Sequence, residues 1–174
     1  HIRSRRQRQM CIRDRLLKDI PLKCNYKIIG FIEDQKYYKR LNNIIEILPD
    51  NISVKFTGLL NQKEIESELS KADLFVSSSL NENYGHSIVE SLSCGLPVLI
   101  SNFCPWNNLD KYRAGFKLSL DKNKFKEKLL FFYKMDSVEY RKYNLGAQSY
   151  FKKYISAELH KNKYLNLLST NKSE

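Results

Sequence analysis

Along the chain, short runs of apolar and β-branched residues alternate with longer stretches in which apolar positions recur every three or four residues. The short runs at 26–32, 53–58, 74–79, 97–102 and 116–120 predict β-strands. Their apolar character is nearly continuous, which predicts strands covered on both faces. Between them, 36–48 (with Leu41, Ile44, Ile45 and Leu48 on one stripe), 62–71, 87–94 and 122–134 carry helical spacing. Pro49-Asp50-Asn51 marks a turn ahead of the second strand, and Cys94-Gly95-Leu96-Pro97 marks a helix stop. Strand alternating with helix predicts an α/β fold, Rossmann-like, with a mostly parallel sheet and helices on both faces. Past Leu120 the pattern turns wholly helical. Residues 136–168 predict a helical C-terminal tail packed through Tyr140, Tyr143, Leu145, Phe151, Tyr154, Leu159, Tyr164 and Leu168. No internal repeat or low-complexity linker interrupts this pattern, and 169–174 is expected to fray.

Length and composition narrow the picture. A chain of 174 residues, 42% hydrophobic, holds one domain with a real core and is too short for two Rossmann-type domains. No apolar run approaches the ~18 residues a membrane span needs, and no leader pattern is visible, so a cytoplasmic location is expected. Cys11, Cys24, Cys94 and Cys104 form no C-x-x-C pair and have no histidines at zinc-like spacing, so reduced thiols and no metal are expected. The net charge of +11 is lopsided: six of the nine arginines fall within the first fifteen residues, whereas from Leu16 onward the basic residues are 21 lysines and three arginines. That break marks 1–15 as a basic segment, foreign to the domain or disordered, and places the domain at 16–168. A basic arm for nucleic acid or anionic lipid is the rival reading.

The segment that carries chemistry runs from Ser77 to Val98. A strand ends in small residues, a polar loop follows, and a helix starts near Gly85, which in an open α/β sheet is where ligands bind. The first N–H groups of a helix lack intrahelical partners and sit at the positive end of its dipole, so they suit a phosphate. Gly85 lets a ligand approach the backbone closely. Glu82 in the loop and Glu90 in the helix lie near enough to reach one crevice, where a carboxylate accepts from sugar hydroxyls. Taken alone, such a pair is more often solvated and without a task. His86 reads equally as a ligand contact and as a helix-start residue in solvent, and Ser87 equally as a contact and as a cap. Trp106, after Pro105, reads either as a wall of the site or as core packing.

The stretch E-N-Y-G-H-S-I-V-E-S-L-S-C-G-L-P-V, with its Glu-x7-Glu spacing from Glu82 to Glu90, resembles the signature of the retaining GT-B glycosyltransferases called family 4. Upstream, V-K-F-T-G-L-L and K-A-D-L-F-V-S-S-S are similar to the family's preceding blocks. Downstream, P-V-L-I-S-N, P-W-N-N-L and A-G-F-K-L are similar to its closing ones. The resemblance covers roughly 16–168 and implies the C-terminal, nucleotide-sugar-binding half of a GT-B fold. It implies that Glu90 binds the ribose hydroxyls of a UDP- or GDP-sugar, and that Glu82 is the catalytic carboxylate beside the donor sugar. The backbone amides of Tyr84, Gly85, His86 and Ser87 would face the diphosphate, with Asn83 a further nucleotide-sugar contact and Gly58 and Leu59 along the base. The implied activity is hexosyl transfer, with retention, to a glycan or lipid-linked glycan, as in polysaccharide biosynthesis. No cofactor beyond the donor substrate is implied, no nucleic acid partner is expected, and peripheral membrane association belongs to the full-length protein.

Two family parts have no counterpart in the sequence: the N-terminal acceptor domain, and the first strand of this half with its Arg and Lys. In the 3-2-1-4-5-6 order that strand is central, so the sheet is expected to fall into two half-sheets with unpaired edges. Residues 16–20 read as the tail of the first helix. A fragment inactive on its own is the expectation, with a non-catalytic nucleotide-binding fragment, or less favourably a basic nucleic-acid-binding protein, as the alternatives.

Overall fold

The structure is a computed structural model and describes residues 20–155, except residue 33 and the side chain of residue 37. The basic segment at 1–15, nearly all of the helix tail at 16–20, the packing residues Leu159, Tyr164 and Leu168, and the frayed end lie outside the described residues.

Strands and helices alternate. The order is β1 (Cys24–Ile29), α1 (Gln35–Ile45), β2 (Ile52–Gly58), α2 (Gln62–Ser70), β3 (Phe75–Ser77), α3 (His86–Ser93), β4 (Val98–Ser101), β5 (Gly115–Leu118), α4 (Lys122–Tyr133) and α5 (Ser137–Tyr154). All five predicted strands are present, with ends displaced by up to three residues. β1 pairs parallel with β2, starting at Cys24 opposite Ile52, and β4 lies between β3 and β5, parallel to both. The described strands thus form two sheets, one of two strands and one of three. No described strand joins β1 to β3.

β4 shows why helices cover both sides of the three-stranded sheet. Its residues are all buried and point alternately to opposite faces. Val98 and Ile100 enter a cluster with Ile88 and Leu92 of α3 and Ala147 and Tyr150 of α5. Leu99 faces the other way, into a cluster with Phe125 of α4. Ile20, Ile52, Cys24, Tyr26 and Val54 belong to that second cluster, so the two sheets share a core although no ladder connects them.

The expectation of burial on both faces holds for β4 and fails for β1 and the first half of β2. Asn25 and Lys27, like Ser53 and Lys55, alternate outward and are exposed. Lys27 meets Glu68 of α2 in an ion pair, so this face is covered by a charged helix and not by an apolar one. Leu145 also departs from expectation: it is 58% exposed, because Tyr143, Ala147 and Tyr150 form the buried stripe of α5 and residue 145 falls off it. Tyr154 is partly exposed at 39% and stacks near Tyr112 and Tyr150 at the protein surface.

Local sequence explains the ends. Asn61 and Glu64 form a reciprocal capping box on α2, and Asp121 and Asp136 accept amide hydrogens at the starts of α4 and α5. The predicted helix stop closes α3 as the Leu96 N–H donates to the Ser91 carbonyl at 2.9 Å.

Candidate functional site

The site is the connection from β3 to α3, and the segment after β4 fixes it from behind. β3 ends at Ser77, and Ser79, buried, donates its hydroxyl to the carbonyl of Asn81 at 3.0 Å. The Ser79 carbonyl in turn accepts from the hydroxyl of Ser101, fully buried at the end of β4. The Phe103 N–H donates to the same Ser101 oxygen at 3.3 Å, and the Cys104 sulfur lies 3.6 Å from it. This string of small polar groups holds the base of the loop against β4.

The loop then climbs to Gly85, the N-cap of α3, in the left-handed conformation at φ +77°. A Cβ there would sit 2.8 Å from Cδ1 of Ile88 and 3.2 Å from Cγ of Glu82, so the Glu82 side chain passes directly over the glycine. The caps of α2, α4 and α5 supply a side-chain oxygen to the first amides, and Gly85 has none to offer. The amides of Gly85, His86 and Ser87 have no acceptor among the described residues, whereas Ile88 and Val89 already donate to the Gly85 carbonyl at 2.9 and 3.0 Å. The amides of the exposed His86 and Ser87 therefore stand open at the positive end of the helix dipole. Gly85 itself is buried beneath the Ile88 and Glu82 side chains, whereas His86 and Ser87 are exposed and Tyr84 is 41% exposed.

Glu90 follows His86 by one helical turn, half-buried, on the side of α3 opposite its buried residues Ile88 and Leu92. Glu82 lies over Gly85 beside Ile88, whereas Glu90 lies one turn beyond His86 on the opposite side of α3, and no hydrogen bond among the described residues joins the two carboxylates. Burial pushes the Cys104 thiol up, and the negative charge of Glu82 acts in the same direction, so Glu82 lies within electrostatic reach of the loop after β4. Burial likewise raises the Cys94 thiol, with Glu66 and Glu90 adding to it. Neither thiol is poised as a nucleophile.

The other predicted contacts stand apart in the chain. Gly58 ends β2, where its carbonyl accepts from the Gly30 N–H at 3.0 Å, and Leu59 beyond it is 76% exposed. Among the described residues no hydrogen bond joins this pair to 82–90. Asn83 is exposed in the loop. Ser87 does not act as the cap, since the N-cap position belongs to Gly85; its carbonyl accepts from the Ser91 hydroxyl at 2.7 Å.

Sequence reasoning passed over Ser79 and Ser101, whose one visible signal is a small polar residue at the end of an apolar strand. Trp106 packs on the α3–β4–α5 cluster, and its indole N–H donates to the Tyr84 carbonyl at 2.7 Å. Among the described residues no group of three or more His, Cys, Asp or Glu is arranged to hold a metal ion, and no described helix is long and apolar enough to cross a membrane.

Comparison with known proteins gives this geometry a context. Residues 14–109 match the family described as glycosyl transferases group 1. The sulfoquinovosyl transferase SQD2 of Arabidopsis thaliana is 33% identical over 84 residues, covering 48% of this chain and 16% of that protein. Among solved structures, Alr3699/HepE of Anabaena, in complex with UDP-glucose, superposes with a TM-score of 0.76 at 19% identity, over 97% of this chain and 47% of that one. A glycosyltransferase of Rickettsia africae gives 0.76 at 16% identity, over 96% and 45%. The C-terminal domain of the glycosyl transferase group 1 family protein LpcC of Francisella tularensis gives 0.62 at 17% identity, over 88% and 94%. At these identities the structural likeness establishes the fold. The chain spans less than half of the two longer structures and a sixth of the plant protein.

Proposed function

The chain belongs to the glycosyl transferases group 1 family, and from that premise we propose that it is the donor-binding half of a retaining GT-B enzyme of family 4. Such an enzyme moves a hexose from a UDP- or GDP-sugar to a glycan or lipid-linked glycan, as in polysaccharide biosynthesis. The observation that carries the proposal is the start of α3, which has no side-chain cap and presents the exposed, unbonded amides of His86 and Ser87. A diphosphate is the ligand this end suits, since its oxygens would accept from the amides and its charge would meet the dipole. Glu90, one turn farther along α3, would accept from the two ribose hydroxyls. Glu82, leaning over Gly85, would sit beside the sugar and stabilise positive charge developing at the anomeric carbon. Asn83, Tyr84, His86 and Ser87 would complete the wall around the diphosphate, and Gly58 and Leu59 would lie along the base. That Alr3699/HepE was solved with UDP-glucose supports a nucleotide sugar as the ligand class. The acceptor site would lie on a partner domain, and the whole enzyme would work in the cytoplasm, peripherally at a membrane where its acceptor is lipid-linked.

The test is donor turnover by the complete enzyme. Glu82→Ala is expected to lower kcat about 100-fold with little change in donor KM, as for removal of a group that stabilises transition-state charge. Glu90→Ala is expected to raise donor KM about 10- to 100-fold, the usual worth of charged hydrogen bonds. Proton NMR of the new linkage should show the anomeric configuration of the donor. Wild-type kinetics in both variants would refute the site, and an inverted product would refute retention.

A further inference from the structure

Trp106, the chain's single tryptophan, lies outside the signature segment yet donates its indole N–H to the Tyr84 carbonyl. That carbonyl shares one planar peptide unit with the Gly85 N–H, and in a trans peptide the two point in opposite directions. Fixing the carbonyl therefore fixes the peptide unit at the buried Gly85, from which the exposed amides of His86 and Ser87 follow. A peptide unit ahead of a glycine is the kind that flips at little cost, because glycine accepts either sign of φ. Something must hold it, and the loop itself supplies no side-chain cap. Trp106 is suited to the task. Its ring packs on the cluster formed by β4, α3 and α5, which anchors the donor on rigid elements, and the Tyr84 ring meets it edge-on with centroids 5.4 Å apart. The His86 ring lies 5.1 Å from that of Tyr84, so the ring contacts extend to the first residue of α3.

We infer that Trp106 is the positioning residue of the diphosphate cradle, holding the Tyr84–Gly85 peptide that leads into α3 so that the amides of His86 and Ser87 face the ligand. The inference rests on the donor site proposed above. Trp106 would not touch the reacting atoms; it would act on the phosphates through the backbone, so its loss should be felt by a nucleoside diphosphate and not by the nucleoside.

The experiment is calorimetric titration of the full 174-residue chain, in the cold, with UDP, GDP, uridine and guanosine. Two replacements are compared with the wild type: Trp106→Phe, and 3-benzothienylalanine at the same position, which keeps the bicyclic shape and loses only the N–H. Both are expected to weaken the preferred diphosphate about 5- to 10-fold, the usual worth of one hydrogen bond, and to leave the nucleoside unchanged. Since one indole supplies all tryptophan emission, wild-type fluorescence should shift with the diphosphate titration and stay still with the nucleoside. If Trp106→Phe fails to fold, the isosteric replacement decides. Diphosphate affinity unchanged in the isosteric chain overturns the positioning role alone. A wild-type chain that binds neither UDP nor GDP overturns the donor site, and this inference with it.

Discussion

Gly85 concentrates the constraints of the site in one residue. Its φ of +77° places it where a side chain would strain the backbone, and a Cβ would also press on Ile88 and Glu82. Gly85→Ala is expected to cost about 1–2 kcal/mol from the left-handed conformation alone, read as a lowered urea midpoint, and to abolish nucleoside diphosphate binding even where the fold survives. Tyr150 presents a different kind of constraint. Burial pushes its hydroxyl up to about 12, while that hydroxyl donates to the Asn107 carbonyl at 2.7 Å. A phenol held above its unfolded value contributes stability that is fully present below about pH 10 and is lost as pH rises toward 12. The urea midpoint should therefore fall through that window, and Tyr150→Phe should flatten the fall. The importance of Gly85 was legible in the sequence, because a glycine between a polar loop and an apolar helix marks backbone that must bend where a side chain would not fit. The partner of Tyr150 was not, since a tyrosine on a helical stripe does not reveal which carbonyl its hydroxyl will find.

At the scale of elements, the periodicity found every strand and every helix from residue 24 to residue 154, since each carries its own apolar stripe or run. The errors fall where neighbours decide the outcome. β3 was predicted at 74–79 and spans Phe75–Ser77, because Ser78 and Ser79 leave the ladder for the site loop, where Ser101 takes the carbonyl of Ser79. The bonds that shape this loop, from Ser101 to Ser79 and from Trp106 to Tyr84, each span 22 residues, a separation at which no local pattern speaks. α5 hides a similar case. Gly146 interrupts an otherwise good helix, and a Cβ there would lie 2.1 Å from the Tyr112 carbonyl oxygen and 2.6 Å from that of Arg113. The helix can approach the turn before β5 only without that side chain. Gly146→Ala is expected to destabilise by about 3 kcal/mol or more through forced separation of packed backbone, although alanine is the better helix former; guanidinium unfolding checks the sign, which propensity alone would reverse.

For the whole molecule, the division into a two-stranded and a three-stranded sheet is the governing feature. Among the described residues, one edge of β1 and one edge of β3 carry no ladder partner, and what joins the halves is a shared apolar cluster with the Lys27–Glu68 ion pair. Side-chain contact without backbone pairing is weak cement, and open parallel edges invite pairing between copies. The 174-residue chain is expected to melt below about 45 °C, the lower end for mesophile domains, and to aggregate as it does; circular dichroism with light scattering would show both, and a sharp melt above that temperature would count against it. This feature was legible in advance because five strands could be counted and placed in a known order, whereas the exposed outer face of β1 was not, since Lys27 can be told from a buried strand residue only once α2 is known to lie over it. One consequence concerns how the molecule could be taken apart. No backbone hydrogen bond among the described residues crosses the exposed turn at Leu59. Each side of that turn keeps its own parallel ladder, so two separately synthesised polypeptides divided there would carry all the main-chain bonds of the described residues before they meet, and among those residues their reunion is a matter of oil and charge.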